Sequence, residues 1–156
     1  MNEWTRSRSL NGPPKWPMIA QLWKDVRDAH LISDPLISLY LDACGIHRQH
    51  DALVQAWADL RSINYPLNSN HYNSMIEALH RLGHTKEALE VYTKEMCKSD
   101  VVKPSLKTLV TLVGPLVRKP FLLRRTLDLI KNQYPALFGD LIQKLRNDPR
   151  NSGIDF

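Results

Sequence analysis

The side chains best able to bind a metal or move a proton are the histidines, two cysteines and a few acids. Cys44, His47 and His50 are spaced by three, and His80 and His84 by four. A zinc site needs nitrogen and sulfur ligands that converge tetrahedrally on one ion. Here the first set falls at one helix end and the second at a later turn, where polar residues are ordinary, so no metal site is predicted. Glu87 and Glu90 read as a solvated helix face. The chain has no Gly-rich phosphate loop, no nucleophile elbow and no His-Glu-x-x-His. No catalytic residue, cofactor or small-molecule substrate is expected.

Charge offers a second kind of chemistry. The 156 residues carry a net charge of +5. Residues 1–100 hold 11 Lys/Arg against 12 Asp/Glu, a net −1, and residues 101–156 hold 10 against 4, a net +6. A local excess of that kind favours a polyanionic partner, although a solvated face that keeps the protein soluble carries the same signature.

The elements that must position these groups are helices. Apolar residues make up 43% and charged residues 24%, enough apolar content to fold. No run alternates apolar and polar residues long enough to predict a strand, and no apolar run reaches the roughly 18 residues of a membrane span. Two cysteines outside any Cys-x-x-Cys pair imply a reducing compartment. The opening "MNEWTRSRSL" is basic and hydroxylated but contains Glu3, and makes a poor targeting peptide.

Apolar stripes at spacings of 3 and 4 predict a helix from Trp16, with Pro17 at its first position. A second is predicted from an Asp34 N-cap to Gly45, with Ile37, Tyr40, Leu41 and Cys44 inward. A third spans about Asp51–Ser62, with Leu53, Trp57 and Leu60 inside. Two more carry Tyr72, Met75, Ile76 and Leu79, then Ala88, Leu89, Tyr92 and Met96, with Gly83 at the turn between them. Leu106–Val113 bends at Gly114-Pro115, Phe121–Asn132 follows, and Pro135–Arg146 closes the series. Trp23 and Trp57 lie on core stripes. "NSMIEALHRLGHTKEALEVYTKEM" (Asn73–Met96) is imperfectly anticipated by "SLYLDACGIHRQHDALVQAWADL" (Ser38–Leu60), so the helices form tandem hairpins.

These residues resemble the pentatricopeptide repeat family. The best unit is Ser69–Ser105. Its "HYNSMIEALHRLGHTKEALEVYTKEM" has the family's aromatic-Asn opening, a Gly in the turn and a Glu-Ala-Leu second helix, and "VKPS" closes it. The related tetratricopeptide repeats favour a Trp-Leu-Gly-Tyr arrangement that is absent here. The resemblance implies an all-α, right-handed α-solenoid. A tail would occupy 1–15, a half-repeat 16–33, repeats 34–68, 69–105 and 106–134, a capping helix 135–146 and a second tail 147–156. The half-unit at the start suggests a fragment or a much reduced member.

The resemblance also implies single-stranded RNA as partner, read at one base per repeat, in RNA processing, stability or translation in mitochondria. The base-reading pairs would be Asn73 with Ser105 and Ser38 with Asn68; Val110 stands at the third site and cannot hydrogen-bond a base. Pro35, Asn70 and Lys107 would flank the bases. Lys103, Lys107, Arg118, Lys119, Arg124 and Arg125 would add phosphate contacts along the groove. With so few competent units, binding should be weak and poorly discriminating. The alternative is a scaffold that docks a protein partner or a second copy within a larger complex, such as a mitochondrial ribosome.

Overall fold

The computed structural model of the protein describes residues 15–156. Residues 1–14, expected as part of a tail, lie outside the described residues. Eight helices follow in order: α1 (Trp16–Asp28), α2 (Asp34–Ile46), α3 (His50–Ser62), α4 (Ser69–Arg81), α5 (Thr85–Glu90, continued by a π-helical turn Val91–Met96), α6 (Leu106–Val113, continued by a 3-10 turn Gly114–Leu116), α7 (Pro120–Gln133) and α8 (Pro135–Asn147). No strand occurs among the described residues.

The first helices of successive pairs form a continuous stack. α2 packs along α4, α4 along α6 and α6 along α8. No single helix can bury its apolar stripe alone, so each hairpin takes its stability from its neighbours. Ile37, Leu41 and Cys44 of α2, Ile76 and Leu79 of α4, and Leu109, Leu112 and Val113 of α6 are fully buried. The stripe predicted from sequence is therefore the core.

The other helices meet through long side chains at close to the repeat spacing. Arg27 of α1 pairs with Asp59 of α3 at 3.0 Å. Trp57 Nε1 of α3 donates to Glu95 Oε1 of α5 at 3.1 Å, and Arg61 binds the same oxygen. Lys119 Nζ, just before α7, lies 3.5 Å from Thr85 Oγ1 of α5. Aromatic pairs lock the layers together. Trp23 stacks on Tyr40 with centroids 4.4 Å apart, and Trp57 meets Tyr72 edge-on at 5.2 Å. Both indoles are buried, as their stripes predicted.

Helix ends are set by local hydrogen bonding. The N-cap of α2 is Ser33, and Asp34 is the first helical residue, ahead of Pro35. Gly45 does not end α2: it lies inside the helix, and the chain turns at Arg48, whose φ is 60°. Four successive helices close in this way. His30, Arg48, Asn64 and Gly83 take positive φ, and each donates its N–H back into the last turn. The six-to-one bonds that complete the motif run from the next residue, as from His84 N to Leu79 O at 2.8 Å. The segment 147–156 is not a free tail. Asn147 belongs to α8, Pro149–Asn151 forms a 3-10 turn, and buried Asn151 donates to Leu145 O at 2.9 Å.

Candidate nucleic-acid interface

The base-reading scheme requires Ser38 and Asn73 to face an open groove. Asn73, in the first turns of α4, does not: it is 5% exposed. Its Oδ1 and Nδ2 are both sealed from solvent and hydrogen-bond to no protein group. The neighbouring first helices, α2 and α6, pack along α4 on either side. This corrects the expectation of a base contact from Asn73. The carboxamide has unmet hydrogen-bonding capacity but nothing can reach it unless the stack opens. Ser38 is half-buried in α2.

The partner positions at the ends of the units are committed to helix caps. Asn68 Oδ1 accepts from His71 N at 3.1 Å, and His71 Nδ1 takes the Asn68 N–H at 3.0 Å. Ser105 Oγ accepts from Thr108 N at 3.3 Å, and Thr108 Oγ1 takes the Ser105 N–H at 3.1 Å. Each is a reciprocal capping box that satisfies two otherwise orphaned donors. The sequence signal for them was a polar residue three positions before another hydrogen-bonding side chain, with His71 and Thr108 in place of the usual Glu or Gln.

The flanking positions Pro35, Asn70 and Lys107 are exposed. The first-helix layer around Lys107 is not basic, however. Asp42 of α2 lies near the Ser74 hydroxyl of α4, with Glu77, Arg81 and Lys107 close enough to feel its charge. Burial, with Glu77 adding to it, raises the Asp42 carboxyl above the usual range, against the influence of the Ser74 hydroxyl and the Arg81 and Lys107 charges. Two acids, Asp42 and Glu77, and two bases, Arg81 and Lys107, therefore share this face, with no net positive charge.

The cations gather elsewhere. Arg118, Lys119, Arg124 and Arg125 are exposed on α7 and the turn before it. Arg125 lines an open cleft of about 460 Å³ between α5 and α7, with Thr85, Leu89, Thr93 and Leu122. Arg124 and Lys131 line a second cleft of about 630 Å³ between α7 and α8, together with Arg146, Phe138 and Phe156. Arg125 sits over the Phe121 ring at 5.8 Å, and Lys131 over Phe138 at 5.8 Å. Among the described residues none of Lys103, Lys107, Arg118, Lys119, Arg124 or Arg125 is paired with a carboxylate. Arg118 donates only to Arg150 O, at 3.4 Å. The basic surface thus centres on α7, a second helix of its pair, and not on the groove lined by the first helices along which phosphate contacts were expected.

Cys44 lies buried in the α2 stripe, where desolvation pushes its thiol up to about 12 and keeps it protonated. It takes no part in a polar site with His47 or His50.

Stacked helical hairpins of about 35 residues define a helical-repeat protein. The family model for pentatricopeptide repeat-containing proteins matches residues 35–135, and the chain belongs to that family. The match runs from the start of α2 to the start of α8. No curated protein and no solved structure matches the chain. The family is generally non-catalytic and works by binding RNA or protein. No helix among the described residues is long and apolar enough to cross a membrane.

Proposed function

We propose that this protein binds single-stranded RNA chiefly through the phosphate backbone, over the basic surface centred on α7, with little base discrimination. The observation that carries this reading is the set of exposed cations Arg118, Lys119, Arg124 and Arg125 on and just before α7, none of which forms an ion pair among the described residues although Glu90, Asp128 and Asp155 line the same clefts. Exposed Phe121 beside Arg125 adds an aromatic face on which a base can stack. Sealed Asn73 and the capping roles of Asn68 and Ser105 argue against reading base edges one per repeat. The family's organellar setting supports mitochondria as the compartment and RNA processing, stability or translation as the process. Microscopy of the full protein tagged at its C-terminus tests the compartment.

Fluorescence anisotropy with a mixed-sequence single-stranded RNA, at 50 and 200 mM salt, tests the binding. Four phosphate contacts predict a loss of about fiftyfold across that range. The double variant Arg124→Glu/Arg125→Glu should lose most of the remaining affinity. Salt-independent binding, or an unchanged double variant, defeats the reading.

A second reading is favoured by a different surface. The groove between α1 and α2 is apolar and open, with Leu22 53% and Leu39 65% exposed beside Ile19, Val26 and Leu36. An exposed apolar strip of this kind suits a protein partner or a second copy. Leu39→Asp should abolish any dimer detected by light scattering, and a monomer at all concentrations removes the second-copy version.

A further inference from the structure

His50 opens α3, His84 caps α5, and Glu87 lies in the first turn of α5. The fold brings these three together although the sequence separates His50 from the others by more than 30 positions. His50 Nε2 lies 3.0 Å from Glu87 Oε2, and His84 Nδ1 lies 3.0 Å from Glu87 Oε1. The two imidazoles stack face to face, with centroids 3.9 Å apart and planes 10° from parallel. Stacking fixes both rings so that one nitrogen of each converges on the same carboxylate. One ligand atom from each of the three residues lies within 4.8 Å of the others. All three are part-exposed, so an ion can enter.

We propose that His50, His84 and Glu87 form a zinc-class divalent-cation site that clasps the second helices of two successive hairpins. Two histidines and a glutamate are a recognised zinc ligand set, with a fourth position left for water. Coordination replaces the two hydrogen bonds to Glu87 with metal bonds from both imidazoles and the carboxylate. His50 then keeps its proton on Nδ1, which faces Asp51 Oδ1 at 3.8 Å, the outer carboxylate that commonly orients a metal-bound imidazole. The positive ends of α3 and α5 oppose a cation, and Asp51 and Glu87 in their first turns offset them. Burial pushes the Glu87 carboxyl up, but hydrogen bonds and charge from His50 and His84 outweigh it and hold the group below its usual range. Sequence spacing splits this set, placing His50 beside Cys44 and His47 and His84 beside His80, and neither spacing joins both histidines to Glu87.

Chelator-treated full-length protein is titrated with ZnCl2 by calorimetry and with Co²⁺ by visible absorption. One ion should bind per chain, with no thiolate-to-cobalt charge-transfer band, and saturating Zn²⁺ should raise Tm. His84→Ala and Glu87→Gln should each weaken binding at least about tenfold. His50→Ala removes the ligand on the other helix and should match them, so a folding defect in one variant does not decide the outcome. His30→Ala, far from the cluster in sequence, should bind like the wild type. Absence of binding at about 1 mM Zn²⁺ overturns the proposal, as does unchanged affinity in all three ligand variants or a thiolate band assigning the ion to Cys44 or Cys97.

Discussion

Gly45 of α2 lies directly against Ala78 of α4: a Cβ at position 45 would come within 3.0 Å of the Ala78 Cα and 3.1 Å of its Cβ. The contact is backbone against backbone, so no flexible side chain can swing aside. It lets the first two members of the first-helix stack pack backbone to backbone at this point. Gly45→Ala gains helix propensity of about 1 kcal/mol. Forcing the two helices apart costs more, about 1–3 kcal/mol for overpacking. The variant should therefore unfold at a lower urea midpoint, by about 1 kcal/mol net. An unchanged or raised midpoint would mean that the helices slide without loss.

Gly83 serves a different need. Nothing lies within 4 Å of a Cβ placed there, but its φ is +83°. Gly83→Ala meets no atom and still forces an L side chain into the left-handed region, a penalty of about 1–2 kcal/mol. The same physics runs in reverse at His30, where φ is 57° and the side chain is exposed. His30→Gly should be neutral or stabilise by up to about 1 kcal/mol, once the freer unfolded chain is counted. Thermal melts should show a clear drop in Tm for Gly83→Ala and no drop for His30→Gly.

His80 sets an acid limit on the fold. Its Nε2 contacts the Leu112 carbonyl oxygen at 3.0 Å, across the α4–α6 junction, while Nδ1 is buried without a partner. Burial pushes the imidazole below its ordinary range, with the Lys119 charge adding to this and the Leu112 bond opposing it. The folded protein therefore takes up this proton at a lower pH than the unfolded chain. The stability contribution is complete above the unfolded value of about 6.5 and shrinks as pH falls below it. Tm measured from about pH 7.5 to pH 5 should fall, and His80→Gln should flatten that decline. A wild-type slope retained in the variant would assign the acid sensitivity to other groups.

Much of this architecture was legible because helical periodicity and burial are the same signal. Every stripe residue named from the spacing of α2 to α5, except part-exposed Leu89, is buried. Turn chemistry was less legible. Gly83 marks a left-handed turn by its type, but His30, Arg48 and Asn64 adopt the same conformation without glycine, driven by the hydrogen bonds that close each helix. The π-helical turn at Val91–Met96, closed by Cys97 N to Tyr92 O at 2.8 Å, leaves no trace in the pattern, since Val91, Tyr92 and Met96 stay buried through it. The site suffered most. The family resemblance places Asn73 in an open groove, and nothing in one sequence distinguishes an exposed amide from a sealed one. The clustering of His50 with His84 and Glu87 depends on how two hairpins stack, which spacing within either hairpin cannot encode.

Asn73 allows the two accounts of RNA binding to be separated in one protein. A buried polar group without a partner costs about 1–3 kcal/mol, and replacing it with an apolar side chain of similar size removes that penalty. Asn73→Leu should therefore raise stability by about 1 kcal/mol, even though it alters the residue that the family resemblance assigns to a base. If phosphate contacts around α7 carry the affinity, single-stranded RNA should bind the variant within about twofold of the wild type. If the first-helix stack instead opens on binding and Asn73 meets a base edge, a bidentate pair of hydrogen bonds to that edge is worth about 1–3 kcal/mol. The variant would then lose roughly tenfold or more in affinity while remaining the more stable protein. A gain in Tm with unchanged binding places Asn73 in the core alone, and a gain in Tm with lost binding restores it to the interface through a conformational step.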